Sequence, residues 1–399
     1  MNRKIVFILI VLAIAQVVGW GTIGLPPVIG RQIAADLHMD IVAIFAGTSV
    51  HYVAMGLCAP ALGSAFVRFG ARRVMIVGTL VAVPGFALLA LASGPVEYFA
   101  AWVVLGAAGS ATLSTASYIM LNEVVGSGAR NAIGALMLVT GLSSSIFWPT
   151  TAFLSDLAGW RAACLVYAGA MLLVCLPLYV FGLPRQHWTE AVEKRPSGAA
   201  EQQPTPVANS TLLLLIAAGS LNAFITLGFS AVLIELLKAL GLSQAEAIAF
   251  GSVLGVLQVG ARGIDFLGGG KWDAITTGIV AGCVLPVAML LLLTGPRAPS
   301  AIAVFILLYG LSSGALAVAR ATMPLVFYDR AAYATAVSRI MLPLNLISAL
   351  SPPVLASVLT RVGANALLGL AIVCSCGALA ILMVLRRRRP RRNETRLSA

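Results

Sequence analysis

The chain has 399 residues, of which 60% are hydrophobic and 10% are charged, and its formal net charge is +12. Soluble domains carry about 25% charged residues, so this composition excludes an ordinary soluble protein. The positive charge does not indicate nucleic-acid binding, because no basic patch is interleaved with aromatic residues and seven arginines lie in one terminal segment, 386–396.

Long apolar runs fill nearly the whole chain, and each approaches the roughly 20 residues that a helix needs to cross a bilayer. Lipid offers no partner for an unpaired backbone amide, so these runs must be helical. We therefore predict an all-α membrane protein with twelve transmembrane helices in two six-helix halves. The predicted spans are 5–30, 41–66, 74–93, 97–122, 131–154, 161–183, 210–237, 245–267, 274–294, 299–327, 336–359 and 364–385.

The first span begins like a signal peptide, with Arg3 and Lys4 ahead of an apolar run. The run continues to about Gly30 without a small-residue cleavage site, so we expect a retained span. A polar linker rich in Pro, Glu and Gln, 184–209, separates an N-terminal bundle, 1–183, from a C-terminal bundle, 210–385. We expect a flexible connector there, and a basic tail follows at 386–399.

Basic residues predict the orientation of the spans. With both termini inside, nineteen Lys and Arg residues fall on the cytoplasmic side and five outside, while Arg262 and Arg320 fall within spans. This bias supports an even number of crossings. It predicts a multi-pass protein of the cell inner (plasma) membrane with both termini in the cytoplasm and contacts to anionic lipid.

Three short segments have recognisable patterns. Residues 63–73, GSAFVRFGARR, join spans 2 and 3; residues 141–149, GLSSSIFWP, precede an external GWR at 159–161; and residues 258–263, QVGARG, lie in span 8. Together with the six-plus-six arrangement, they resemble the major facilitator superfamily. Within it they resemble the monocarboxylate-transporter-like and oxalate/formate-antiporter-like branch, as does the segment GWGT at 19–22 in span 1.

The 63–73 segment resembles the loop signature of that superfamily, G-x-L-a-D-R-x-G-r-[RK]. The resemblance implies a gating loop in which arginines bind carbonyls, acidic residues or lipid phosphate, although Val67 stands where the pattern has Asp. The residues that carry this expectation are Gly63, Arg68, Gly70, Arg72 and Arg73.

Span 8 carries the main candidate for substrate binding. Monocarboxylate transporters have D-x-x-x-R here, with the Arg used for the substrate carboxylate; Arg262 matches the Arg and Gln258 takes the Asp position. A guanidinium binds a carboxylate bidentately, and charges inside a span usually face a cavity. The alternative is an ion pair with Asp265 at i+3. The two roles are also compatible with an exchange in which protonation of Asp265 releases Arg262.

Other charged or titratable residues have two open roles each. Arg320 either lines the same site or snorkels to the inner interface and binds Asp329. His51 is a candidate for the coupled proton, as is Asp265, although a lone histidine in a helix is often a packing residue. Glu123 at the end of span 4 is a rival proton site or a loop anchor.

Polar and aromatic residues add to the predicted site. Asn222, Thr226 and Ser230 are spaced by four and mark one helix face, which lines either a wet cavity or a helix contact. The substrate-binding candidates besides Arg262, Gln258 and Arg320 are Trp20, Tyr118, Asn222, Tyr309 and Asn345.

These features predict a monomeric secondary active transporter that works by alternating access and moves a small monocarboxylate-like anion with a proton. The alternative is a proton-driven exporter of a toxic or drug-like compound, although the antiporter pattern G-x-x-x-G-P-x-x-G-G is missing from span 5. We expect no enzyme, cofactor or metal site, because only three histidines occur and they fall outside, within and inside the membrane. A Walker-type loop is also missing, which argues against ATP as the energy source.

Overall fold

The computed structural model describes residues 3–184, 209–268, 272–295 and 298–389, and every regular element in these ranges is a helix. The chain divides into two compact units: 1–203 with 330–352, and 204–329 with 353–399. The predicted linker, 184–209, and the end of the basic tail, from 390, lie almost wholly outside the described residues.

The first unit begins with nine helices. They are α1 Arg3–Ile23, α2 Pro26–Asp36, α3 Ile41–Phe69, α4 Ala71–Ala90, α5 Pro95–Thr112, α6 Ser114–Val125, α7 Ala129–Thr140, α8 Ser143–Ala170 and α9 Leu176–Gly182. A π-helical turn, Met171–Cys175, joins α8 to α9.

Seven further helices follow, of which six belong to the second unit and one runs through both residue groups. They are α10 Asn209–Ala239, α11 Gln244–Leu267, α12 Ala274–Thr294, α13 Pro299–Thr322, α14 Pro324–Phe327, α15 Arg330–Arg361 and α16 Ala364–Arg387, of which α15 contains the division between Pro352 and Pro353.

Eleven of the described helical segments are long and apolar enough to cross a membrane. One of them, Ile146–Gly182, has 37 residues, which would make a straight helix of about 55 Å at 1.5 Å per residue. That exceeds the 40–45 Å of a whole bilayer. Gly159 interrupts the segment with φ +82° and ψ 163°, a conformation that only glycine adopts without strain. Residues 146–158 are too few to cross a bilayer alone, but together with the apolar helix α7, Ala129–Thr140, they form a span before the break. Division at Gly159 is then consistent with the twelve crossings predicted from the sequence.

Contacts at the two ends of the first unit show that the chain reverses at Gly159. Next to the break, Trp160 Nε1 donates to Asp36 at the end of α2, and Arg161 donates to the carbonyl of Ala92 after α4 at 2.9 Å. At the far end of the returning helix, Arg72 at the start of α4 binds carbonyls of α9. The helix that follows Gly159 therefore runs from one end of the unit to the other.

Large apolar side chains cover the outer faces of both units. Leu173, Phe181 and Leu267 are 74%, 85% and 81% exposed, which suits helices that are surrounded by lipid rather than water. The interior of the second unit is equally apolar, with Phe229, Phe305 and other fully buried side chains in one cluster. The fold is that of a multi-pass membrane protein.

Side-chain hydrogen bonds cap the start of one helix in the second unit. A capping box begins α11: the hydroxyl of Ser243 accepts from the amide of Glu246, whose carboxylate accepts from Ser243 N and Oγ. These two hydrogen bonds to the carboxylate lower the pKa of Glu246, since they favour its charged form. The capping box fixes the first turn of α11, the helix that carries Gln258 and Arg262.

Candidate functional site

The predicted gating loop forms a compact turn at one end of the first unit. Gly70 links α3 to α4 with φ +76°, and the Glu123 carboxylate at the end of α6 accepts from the amide of Ala71 at 3.3 Å. Arg72 donates to the carbonyls of Tyr179 (3.2 Å) and Val180 (2.6 Å) in the last turn of α9. A carboxylate thus sits at a helix N-terminus and a cation at a helix C-terminus, as the helix dipoles favour.

The other residues of this loop occupy different surroundings. Gly63 lies against α15, where a Cβ atom would come within 2.7 Å of Ser338 Cβ. Arg68 stacks over the Phe69 ring at 5.1 Å, and both Arg68 and Arg73 are exposed. Val67, which replaces the Asp of the pattern, is also exposed. The basic residues Arg68 and Arg73 are therefore open to water or lipid headgroups.

The side chain of Trp20 contacts a break between two helices inside the fourth predicted span. Leu113, with ψ −161°, separates α5 from α6. Gln16 of α1 donates to the carbonyl of Thr112 at 2.7 Å, and Trp20, one turn further along α1, donates to Ser114 Oγ at 3.0 Å. Irregular backbone at membrane depth must be buried in protein or line a cavity. Here α1 supplies two side-chain donors to the break.

His51 lies wholly inside the first unit, between α3 and α5. Its ring packs edge-on against Tyr52 and Trp102, with centroid distances of 5.7 and 6.1 Å. Gly109 provides the space, since a Cβ atom there would lie 2.9 Å from the ring. Within the described part of the chain, neither ring nitrogen has a hydrogen-bond partner. The immediate surroundings of His51 are therefore those of a packed aromatic ring.

Two further candidates lie on other elements of the first unit. Tyr118 is half-buried on α6. Asn345 of α15 is buried, and its Cβ would lie 3.1 Å from a Cβ at Gly56 of α3. Asn345 thus occupies a close contact between α3 and α15.

In the second unit, Gln258 lies at a close approach of α11 and α13. Its side-chain amide donates to Ser313 Oγ at 3.0 Å. A Cβ atom at Gly314 would overlap the backbone of Gln258 and lie 2.9 Å from Ala261 Cβ. Only a residue without a side chain allows the two helices to approach so closely, and the approach brings a polar pair together within apolar helices.

The packing register shows on which face of the α11–α13 pair the two intramembrane arginines lie. A Cβ at Gly310 would meet Leu257, and four residues later Gly314 meets Gln258 and Ala261, so α11 and α13 run in the same direction. Arg262 follows Gln258 by four residues and Arg320 follows Ser313 by seven, which puts each arginine on the face of the helix that carries the Gln258–Ser313 pair.

Both arginines are half-buried. From the helical rise, they differ in level by about 5 Å along the helix direction. The sequence left two roles open for Arg320, a place in the same site as Arg262 or one at the inner interface. The register puts both arginines on one face of the α11–α13 pair.

Tyr309 is fully buried and joins α13 to α10. Its hydroxyl donates to the carbonyl of Thr226 at 2.9 Å, and its ring stacks on Phe305 at 5.6 Å. On the same face of α10, the hydroxyl of Thr226 donates to the carbonyl of Asn222, and Ser230 donates to that of Thr226. This face of α10 thus contacts α13 at Thr226 and Ser230.

Asp265 lies one turn beyond Arg262, near the end of α11. Its carboxylate accepts from the Thr277 hydroxyl at 2.7 Å and from Trp272 Nε1 at 3.2 Å. Neither partner was among the residues predicted for the site, because the contact joins α11 to α12 across a loop and has no sequence pattern of its own. Asp265 therefore has a polar environment inside a mainly apolar helix pair.

Comparison with known proteins identifies the family. The sequence profile described as Major Facilitator Superfamily matches residues 8–272, about two thirds of the chain. The chain belongs to the major facilitator superfamily. No curated protein sequence matches it.

Solved structures share the superfamily fold. The crystal structure of the human organic anion transporter MFSD10 (TETRAN) aligns with a TM-score of 0.71 over 96% of this chain and 100% of that one, at 16% identity. The proton:xylose symporter XylE bound to 6-bromo-6-deoxy-D-glucose aligns with a TM-score of 0.72 over 97% and 96%, at 12% identity. Identities this low establish the fold alone.

Membership of the major facilitator superfamily makes this protein a transporter rather than an enzyme. Of the predicted site residues, Gln258, Arg262 and Arg320 share one face of two helices in the second unit. Trp20 binds the helix break in the first unit, whereas His51, Asn345 and Tyr309 occupy packed helix contacts. The branch within the superfamily, the individual site residues and the orientation of the termini stay predictions.

Proposed function

We propose that this superfamily member is a secondary active transporter for a small organic anion of the monocarboxylate type, coupled to a proton and working by alternating access. One observation carries the proposal: two half-buried arginines lie on a single face of the α11–α13 pair, beside the polar contact between Gln258 and Ser313.

Physical chemistry connects this arrangement to an anion. Charged side chains inside membrane helices are costly and typically mark a substrate path. A guanidinium matches the planar geometry of a carboxylate with two parallel N–H donors. Arg262 is the residue we expect to bind the substrate carboxylate, with Arg320 as a second positive charge that favours anions over cations.

The proton has two candidate carriers, Asp265 and His51. Asp265 lies one helical turn from Arg262 and already accepts two hydrogen bonds, so a change in its charge would act directly on the neighbouring guanidinium. His51 lies in the other unit and is enclosed by aromatic rings. The geometry therefore favours Asp265 over His51 as the coupled site.

The names of the two structural neighbours are compatible with the proposal but do not decide it. One is called an organic anion transporter and the other a proton:xylose symporter. The competing hypothesis is an exporter of a drug-like, non-anionic compound, which would not need two arginines on one face.

Proton-linked uptake into proteoliposomes tests the proposal. Liposomes that contain a pH-sensitive dye receive a panel of small monocarboxylic acids, with protein-free liposomes to measure passive diffusion of the neutral acid. We expect one acid to acidify the lumen faster than the leak. Arg262→Ala should abolish this signal, and Arg262→Lys, which keeps the charge but loses the bidentate geometry, should raise the half-saturating concentration by about tenfold or more.

Arg361→Gln is the matched control, because it removes an exposed arginine at the end of α15. It should leave uptake unchanged. Uptake that survives Arg262→Ala would assign Arg262 to a structural role, and the lack of a signal for every acid would reject the monocarboxylate substrate and favour the exporter.

A further inference from the structure

Three consecutive helices of the second unit, α11, α12 and α13, surround a gap that is open on one side. Among the described residues, α13 packs extensively against both other helices, whereas α11 and α12 make few contacts with each other. A hydrogen bond from Thr277 to Asp265, at 2.7 Å, joins α12 to α11 near the loop that connects them. Beyond it the two helices leave a cavity of about 420 Å³, which α13 closes on its inner side.

The cavity covers the depth of one leaflet of a bilayer. Helix α12, Ala274–Thr294, is about 31 Å long at 1.5 Å per residue, which matches a hydrocarbon core of about 30 Å. The residues of α12 that line the cavity run from Thr276 to Val284, and Val284 lies about 15 Å from the start of the helix. The cavity therefore extends from one membrane surface to about the middle of the bilayer.

The wall of the cavity suits hydrocarbon better than water. Its side chains with hydrogen-bonding groups all have partners within the protein; they are Asp265, Trp272, Thr276, Thr277 and Ser312. The rest of the wall is aliphatic, from Ala261, Ile264, Val280, Ala281, Val284, Leu308, Leu311 and Ala315. Buried water needs two to four polar partners, which this wall does not offer.

The open side of the cavity is continuous with the lipid-facing surface. Ile264 of α11 and Val280 of α12 line the cavity and are 60% and 63% exposed, and Val287 continues the exposed face of α12. Ala281 and Ser312 also line the cavity but are only 5% and 2% exposed. The cavity thus begins at the lipid-facing surface and extends behind it.

We infer that this cavity binds one acyl chain of a membrane phospholipid, inserted between α11 and α12, with the headgroup near Trp272 and the chain end near Val284 and Leu308. Indole rings favour the headgroup level of a bilayer, and Trp272 is 38% exposed at that end of the cavity. An empty apolar cavity would lose the dispersion contacts that a chain supplies. The bound chain fills the space between two helices that have few contacts of their own. This site does not depend on the proposed anion transport.

Photolabelling in nanodiscs tests the inference with a defined probe, a phosphatidylcholine that carries a diazirine at the end of one acyl chain. After irradiation, mass spectrometry locates the adducts. Any surrounding lipid labels an exposed position such as Val287, so the informative positions are the buried ones, Ala281 and Ser312, where we expect adducts. A second phosphatidylcholine, with the diazirine near the glycerol backbone, should instead label the other end of the cavity, around Ile264 and Trp272.

A pair of variants tests the route into the cavity. Val280→Trp places a large ring in the opening and should lower labelling of Ala281 and Ser312 about tenfold, since overpacking costs enough free energy for that factor. Val287→Trp is the matched control, because Val287 lies about two turns further along α12, is 57% exposed and does not line the cavity. It should leave that labelling unchanged. If either variant fails to fold, the two phosphatidylcholines still test the unaltered protein.

Three results would overturn the inference. Adducts confined to exposed positions would show that no chain enters the cavity. Labelling of Ala281 and Ser312 that survives Val280→Trp would show that the chain does not enter between α11 and α12. Labelling of these two residues by a diazirine-bearing hexanol, but not by the phospholipid, would assign the cavity to small hydrophobic molecules. None of these results bears on the uptake of monocarboxylates, which is measured without the probe.

Discussion

Polar side chains inside these helices have two different kinds of partner. Many hydroxyls donate to a carbonyl of their own helix four residues earlier, as Thr79, Thr226 and Ser348 do. Such a bond satisfies the hydroxyl without any neighbour. A helix face of Ser and Thr residues in the sequence is therefore weak support for a water-filled cavity. The hydrogen bond between Gln258 and Ser313 differs, because it joins two helices.

The buried tyrosines of the protein offer a test of what an interhelical hydroxyl contributes. Tyr309 donates to the carbonyl of Thr226. Tyr333 is equally buried, and its hydroxyl has no hydrogen-bond partner within the described residues. Tyr309→Phe should cost about 1 kcal/mol, the typical net value of one hydrogen bond, and lower the melting temperature in detergent. Tyr333→Phe should be neutral or slightly stabilising.

Both variants remove one oxygen from a fully buried ring, so the loss of volume is the same in each. Equal melting temperatures for the two would contradict the role given to Tyr309 and would show that the α10–α13 contact depends on ring packing alone.

At the level of helices, the approach of α11 to α13 depends on Gly314. An alanine there would place its methyl group against the backbone of Gln258, which cannot rotate away as a side chain can. Gly314→Ala should therefore separate the helices, break the Gln258–Ser313 hydrogen bond and destabilise the protein by about 1–3 kcal/mol, the usual cost of overpacking. Because Arg262 is one turn away, uptake of the anion should weaken as well.

Gly260→Ala is the control for this variant. Gly260 lies on α11 with nothing within 4 Å of a Cβ atom, and alanine is the better helix former. The melting temperature should rise or stay the same. A Gly314→Ala variant as stable and active as Gly260→Ala would show that the helices tolerate a wider separation.

The bounds of several helices could be predicted closely from the sequence, because a span begins and ends where its apolar run does. The predicted span 274–294 agrees with α12, Ala274–Thr294, and 245–267 differs from α11, Gln244–Leu267, by one residue. The break at Leu113 could not be predicted, since apolar residues continue through it and its cause is a change of backbone angle.

The site was predictable only in part, for a related reason. A charge within an apolar run stands out in the sequence, which is why Arg262, Arg320 and Asp265 could be proposed as candidates. Their partners come from other helices, and spacing within one helix does not show which faces meet. The register of α11 against α13, and the contact of Asp265 with Thr277, depend on that packing.

At the scale of the whole molecule, the number of crossings decides whether the two termini lie on the same side of the membrane. An odd number places the two termini on opposite sides of the membrane, and an even number places them on the same side. The decisive segment is Ile146–Gly182, which by length and composition alone counts as one span. Contacts of Trp160 with Asp36 and of Arg161 with Ala92 place its midpoint at one end of the first unit.

Cysteine accessibility distinguishes the two arrangements. In a variant that lacks the six native cysteines, Asp156→Cys introduces a thiol at an exposed position three residues before Gly159. With both termini in the cytoplasm, as predicted, the reversal at Gly159 lies at the outer surface, so a membrane-impermeant maleimide should label the thiol in sealed right-side-out vesicles. Arg73→Cys, exposed at the opposite end of the unit, should react only after permeabilisation. If Ile146–Gly182 crossed the membrane once, residue 156 would lie in hydrocarbon and stay unlabelled from both sides.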